Sequence, residues 1–259
     1  MRLENKVAII TGGGTGIGAA TARLFAREGA KVVVTGLRPE PIAAVATEVG
    51  GVAVAGDTGD SRHATEVVTA AMTNFGGIDV VVTSAGGGAG GSVGDIDDEG
   101  WRRTFDTNLH GPMMLVRAAL PVMLERGGGS IVLVASVNGM AAAPGSAAYD
   151  VSKAGLIALA RAIAVDYGAR GIRANALCPG WVITPMGDDA MDELGAAKGM
   201  GRQEAYDLAT ADVPMKRSNS NSSASCSFRS SSCCICRLNS SCAIHAKPLT
   251  SRSKSAIVS

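Results

Sequence analysis

Short runs of apolar residues alternate along this chain with longer stretches in which apolar positions recur at helical spacing. The runs at 6–11, 31–35, 51–55, 78–83, 130–135 and 172–177 are too short for helices and rich in Val, Ile and Ala, so they predict six buried strands. Between them, 15–28, 39–49, 62–75, 101–125 and 146–168 carry the three-and-four spacing of helices; in the first, Ile17, Ala20, Ala22, Leu24 and Phe25 mark the apolar face. Strand and helix in strict alternation predict parallel strands joined by helical crossovers. The expected fold is therefore α/β, a single doubly wound parallel sheet of the Rossmann type, with ligands beyond the carboxyl ends of its strands. Residues 181–215 change texture, being rich in Met, Asp, Gly and Ala with helical pieces and no strand, which suits a cover over a site.

Composition narrows the function. A chain of 259 residues with 46% hydrophobic residues is long enough for one large core. A net charge of +1 and 3% aromatics leave no basic stripe and no stacking platform, so nucleic acid is not an expected partner. The start of the chain is charged, its first apolar run is too short for a signal core, and no span is long enough for a membrane. A cytosolic protein without membrane contact is expected. Cys178 is the only cysteine before residue 226 and reads as a buried core thiol; His63, His110 and His245 lack ligand spacing, and no metal is expected.

Candidate chemistry lies where these elements join. In Thr11-Gly12-Gly13-Gly14-Thr15-Gly16-Ile17-Gly18 a glycine cluster links the first strand to the first helix, so the backbone can approach a pyrophosphate set on the helix N-terminus. Tyr149-Asp150-Val151-Ser152-Lys153 puts a phenol and an ammonium four residues apart, on one face of a helix. A lysine beside a tyrosine favours the phenolate, and bringing a phenol from a pKa of about 10 to near 7 takes roughly 4 kcal/mol. Such a group is an acid/base usable at neutral pH. Singly, Ser136 also reads as the end of a strand, Asn108 as a bend in its helix and Asp57 as a turn residue.

Taken together, Thr11-Gly-x-x-x-Gly-Ile-Gly18 and Tyr149-x-x-x-Lys153 resemble the short-chain dehydrogenase/reductase family, over about residues 3–216. Asp57 resembles the family's adenine-contacting acid, and Ala85-Gly86 matches half of an Asn-Asn-Ala-Gly motif in which Thr83-Ser84 replace the asparagines. Asn108, Ser136, Pro179-Gly180 and Thr184 also fall at family positions. The resemblance implies an NAD(P)(H)-dependent oxidoreductase interconverting a secondary alcohol and a ketone, a small-molecule substrate. Ser136 would bond the substrate oxygen, Tyr149 would pass its proton, Lys153 would lower the tyrosine pKa and hold the nicotinamide ribose, and Asn108 would position a relay water. Gly12, Thr15, Gly16, Ile17, Gly18, Ala85, Gly86, Pro179, Gly180 and Thr184 would line the cofactor. At the end of the second strand Gly36 stands where an acid would bind a ribose 2′-hydroxyl, and Arg38 can reach a 2′-phosphate. The expectation is a slight preference for NADP(H) over NAD(H), with Leu37 where many NADP-using relatives carry arginine.

The family would continue past Arg217 with a helix, a Thr-Gly turn and a strand ending in Asp-Gly-Gly. Residues 218–259 are instead Ser-, Cys- and Arg-rich, without helical or strand periodicity. The reading is a domain at 1–217 followed by an atypical, disordered tail, with the last helix and strand absent or altered. Cys233-x-x-Cys236 with Cys226, Cys242 and His245 matches no standard zinc arrangement. A reading-frame slip explains the composition better, since codons such as GTC read one base later begin with TC and give serine. Relatives pair through the missing helix and strand and through the two long central helices, so a dimer or tetramer is expected, weakened here. The alternative is a cofactor-binding but catalytically idle protein.

Overall fold

The computed structural model describes residues 1–211, together with the two short strands Asn219–Ser220 and Cys234–Cys236. Six strands form the body of one parallel sheet: β1 (Val7–Thr11), β2 (Lys31–Gly36), β3 (Val52–Ala55), β4 (Val80–Thr83), β5 (Gly129–Val134) and β6 (Ile172–Cys178). Their order is β3-β2-β1-β4-β5-β6, each neighbour parallel, so the chain leaves β1 first on one side and later on the other. The crevice at that reversal is where a doubly wound sheet takes its ligand.

Helices cover both faces at the centre of the sheet, which is why β1, β2 and β4 read as nearly unbroken apolar runs, whereas β3 and β6, farther out, alternate more and less buried positions. On one face Ile9, Val33, Val81, Ile131 and Leu133 pack against α3 (Ser61–Phe75), α5 (Gly111–Glu125) and α6 (Ala147–Tyr167). On the other, Ala8, Ile10, Val32, Val34 and Val82 pack against α1 (Gly16–Arg27) and α2 (Pro39–Val49). Every residue of β1 is buried, so Ile9→Ala would open a cavity in the centre of the molecule at a cost of about 2–5 kcal/mol.

The long helix predicted at 101–125 is broken into three. α4 (Asp98–Phe105) begins on an Asp97 side chain that accepts from Gly100 N–H, runs into a π-helical turn at Asp106–His110, and continues as α5. After β6 come a two-residue strand β7 (Val182–Ile183) and helices α7 (Pro185–Lys198) and α8 (Arg202–Ala209), which share a small core of Met191, Ala205 and Tyr206. β7 departs from the strandless expectation for 181–215; it pairs with β8 (Asn219–Ser220), while β9 (Cys234–Cys236) pairs antiparallel with β6. Strands of two or three residues are too short for alternation to signal. The expectations for 218–259 otherwise lie outside the described residues. No helix among the described residues is long and apolar enough to cross a membrane.

Candidate active site

The turn between β1 and α1 is built around two left-handed glycines, Gly12 (φ 61°) and Gly16 (φ 52°). A Cβ on Gly12 would stand 2.7 Å from the Ala85 nitrogen, and one on Gly18 would run into the Gly12 carbonyl oxygen, so only hydrogen fits at either. α1 then opens with Thr15 extended, no side chain capping its first amides and no acid in its first turn. Uncapped amides at the positive end of a helix suit a pyrophosphate. Thr184 lies across the turn, its Cγ2 3.0 Å from where a Gly16 Cβ would be, and its own hydroxyl accepts from Gly187 N–H to start α7. Arg38 is exposed at the start of α2, beyond Gly36; Asp57 is exposed beyond β3 and accepts from Gly59 N–H at 2.8 Å. Ile17 is half-buried in the first turn of α1. These residues all follow the carboxyl ends of strands, at the edge of the crevice where a doubly wound sheet takes its ligand, and the close approaches at Gly12, Gly16 and Gly18 leave the turn free of side chains there.

The floor of that crevice is held by two residues of different standing. Thr11 Oγ1 accepts from the backbone N–H groups of Ser84 and Ala85, at 3.1 and 3.0 Å, drawing the loop after β4 onto the end of β1. Asn108, fully buried in the π-helical turn, accepts from Gly87 N–H at 3.0 Å and donates to the Gly87 carbonyl at 2.7 Å and to Ser152 Oγ at 2.9 Å. Ser152 Oγ in turn donates to the Tyr149 carbonyl. The side chain of Asn108 thus ties the loop after β4 to the helix carrying Tyr149 and Lys153. Sequence reasoning assigns no such role to Thr11 or Ser152. A threonine closing a strand looks like any strand residue, and Ser152 stands between two more conspicuous neighbours.

Ser136, Tyr149 and Lys153 meet beyond the ends of β5 and β6. Ser136 is buried and its Oγ accepts from Asn138 N–H at 3.2 Å; Pro179 accepts from Val137 N–H at 3.0 Å, joining the ends of the two strands. Gly180 comes next, with open space where a Cβ would be. Lys153 is 4% exposed and donates from Nζ to the Val134 carbonyl at 2.9 Å. Its ammonium lies 5.5 Å from the Tyr149 ring centroid and 3.2 Å from where a Gly86 Cβ would stand. Burial pushes Lys153 down to about 8, with Cys178 opposing.

The phenol corrects an expectation. Burial holds Tyr149 above its ordinary pKa; a hydrogen bond with Ser136 acts against the rise and the Asp150 charge adds to it. The spacing suggests a lysine-stabilised phenolate, but a phenolate loses more from leaving water than this arrangement returns. Burial is thus the largest influence on the Tyr149 phenol, and it acts against the lowering that the lysine spacing suggests.

A family model described as short chain dehydrogenase matches residues 6–194. The chain belongs to the short-chain dehydrogenase/reductase family. Protein MoaE of Klebsiella aerogenes is 39% identical over 213 residues, 82% of each chain. Among solved structures, an actinorhodin polyketide ketoreductase with NADPH is 32% identical with a TM-score of 0.79, covering 84% of this chain and 86% of that one. L-sorbose reductase of Gluconobacter frateurii, complexed with NADPH and L-sorbose, is 29% identical with a TM-score of 0.80, covering 85% and 88%. This short-chain dehydrogenase is thus an NAD(P)-dependent oxidoreductase acting on CH–OH groups.

Proposed function

We propose that this short-chain dehydrogenase interconverts a secondary alcohol and a ketone through a proton relay of Tyr149, Lys153, Ser136 and Asn108. The observation that carries the reading is a buried lysine ammonium 5.5 Å from the Tyr149 ring, with the Ser136 hydroxyl hydrogen-bonded to the same phenol. Bound NADPH or NADH supplies the hydride. Thr15 to Gly18 would hold its pyrophosphate, Arg38 a 2′-phosphate, Asp57 the adenine side, and Lys153 the nicotinamide ribose, with Gly12, Ala85, Gly86, Pro179, Gly180 and Thr184 closing around it. Ser136 donates to the carbonyl oxygen and fixes its place. As the carbonyl carbon gains its new bond, the C=O π electrons move to oxygen and the Tyr149 proton goes with them. The phenolate left behind is stabilised by the Lys153 ammonium, and Asn108 holds the walls of the relay in register.

Reduction uses the protonated phenol. Oxidation needs that proton gone and so gains as the pH rises. Tyr149→Phe separates binding from chemistry: ketone reduction should fall at least about 100-fold across a broad carbonyl panel, while NADPH affinity in a fluorescence titration stays within a few-fold. Unchanged turnover in the variant would sink the relay, and cofactor binding without turnover in the unmodified protein would favour a catalytically idle chain.

The cofactor preference rests on Gly36 and Arg38. NADPH in the solved relatives supports it. With no carboxylate at the end of β2 and a guanidinium just beyond it, kcat/KM should be higher with NADPH than with NADH, and Arg38→Ala should reduce the ratio. Equal or better turnover with NADH would overturn this preference.

A further inference from the structure

Asp150 is the second residue of the Tyr149-to-Lys153 segment, yet its side chain does not face the relay. It is a carboxylate only 6% exposed, in the first turn of α6, where the helix dipole favours negative charge. Oδ1 accepts from Asn138 Nδ2 at 2.9 Å and Oδ2 accepts from the Ala143 backbone N–H at 2.7 Å. Both donors belong to the arc 136–143 beyond β5, and no cation is paired with the carboxylate among the described residues. Desolvating a carboxylate for two contacts with one loop is costly unless that loop must be held in place.

A second observation concerns the same arc. A Cβ on Gly139 would stand 2.8 Å from the Lys153 carbonyl carbon and oxygen, so the arc lies flush on the backbone of α6 and only glycine permits the approach. Asn138, gripped by Asp150, also donates its backbone N–H to Ser136 Oγ. A chain of contacts thus runs from the helix bearing the phenol, through Asp150 and Asn138, to the hydroxyl opposite it.

We propose that Asp150 is a positioning residue: it clamps the arc 136–143 to α6 and so fixes Ser136 relative to Tyr149. The inference rests on the proton transfer proposed above for those two hydroxyls. Misplacing a reacting group by about 1 Å is worth about 100-fold in rate, so loosening the arc should damage chemistry while sparing the pyrophosphate end of the cofactor crevice, which is built from the turn between β1 and α1.

The test compares Asp150→Ala, Asp150→Asn and Asn138→Ala in the full chain by steady-state kinetics, NADPH titration and amide hydrogen exchange. Asp150→Ala should lower kcat/KM for a ketone about 10- to 100-fold, leave NADPH affinity within about threefold, and speed exchange of the Ala143 amide. Asp150→Asn keeps one carbonyl acceptor and should recover part of both effects. Asn138→Ala removes the same contact from the loop side, should reproduce part of the loss should Asp150→Ala fail to fold, and should combine less than additively with Asp150→Asn. Unchanged exchange across the arc would overturn the clamp, as would activity that falls only in step with NADPH affinity. Should the unmodified protein reduce no ketone at all, the proposed reaction fails separately, and the exchange measurement still decides what Asp150 does.

Discussion

Lys153 keeps its charge against the burial around it. The group titrates at about 8 in the folded chain against an ordinary value of 10.5, so holding it charged at pH 7 costs the fold about 3 kcal/mol. That cost is full below about pH 8 and vanishes above about 10.5, because the unfolded chain binds the proton more tightly; through this window the Lys153 contribution makes the fold more stable as pH rises. Lys153→Met removes the contribution. The melting temperature of the variant relative to the unmodified protein should therefore be most favourable near pH 7 and decline toward about pH 10; a difference independent of pH would refute the assignment. Sequence spacing puts Tyr149 and Lys153 together correctly, but it carries no information about how much water each has lost. The direction of the tyrosine shift, opposite to the expectation, comes from that missing quantity.

At the scale of elements, the π-helical turn at Asp106–His110 decides where Asn108 points. An i→i+5 turn admits one extra residue into the helix and changes the facing of the residues beyond it, and here it carries Asn108 wholly inward to meet the loop after β4. Asn108→Ala would leave the Gly87 N–H and carbonyl, and the Ser152 hydroxyl, without this partner. Unfolding free energy from urea titration should drop by about 1–3 kcal/mol, and ketone reduction should fall more steeply than NADPH binding. A loss confined to cofactor affinity would show that the amide serves only the crevice floor. The apolar spacing of 101–125 cannot reveal this turn, since one inserted residue barely disturbs the pattern over two flanking helices. The central strands β1, β2 and β4 are legible because both faces are covered and their runs are almost purely apolar, and β3 and β6 because their buried positions alternate; β7, β8 and β9 are not, being too short to carry a pattern. The glycine turn and the Tyr–Lys pair are each local in sequence and can be read directly. Thr11, whose contacts lie 73 and 74 residues away, can be read only from the folded chain.

At the scale of the whole molecule, the outward faces of α5 and α6, with the turn before α5, form a shallow, mostly apolar groove lined by Leu109, His110, Met113, Gly155, Ala158, Leu159 and Ala162. Gly155 lets the π-helical turn lie close on α6, for a Cβ there would stand 2.9 Å from Leu109 Cδ2. The resemblance drawn from sequence makes these central helices a place where two copies meet. Placing a charge on the groove tests that: light scattering should give a dimer or tetramer for the unmodified protein and a monomer for Ala158→Arg. An unchanged mass in the variant would rule the groove out as the pairing face.

The Thr11 latch also has a bearing on synthesis. The glycine turn leaves the ribosome before the loop that closes its floor, which arrives only with Ser84 and Ala85; Lys153 comes much later still, and Thr184 last of these. A nascent chain can pair β1 with β2 while the pocket is still without a floor, and a dinucleotide has nothing complete to grip until most of the sheet exists. The nucleotide is thus a late arrival, adding its binding energy to a framework already assembled rather than guiding its assembly.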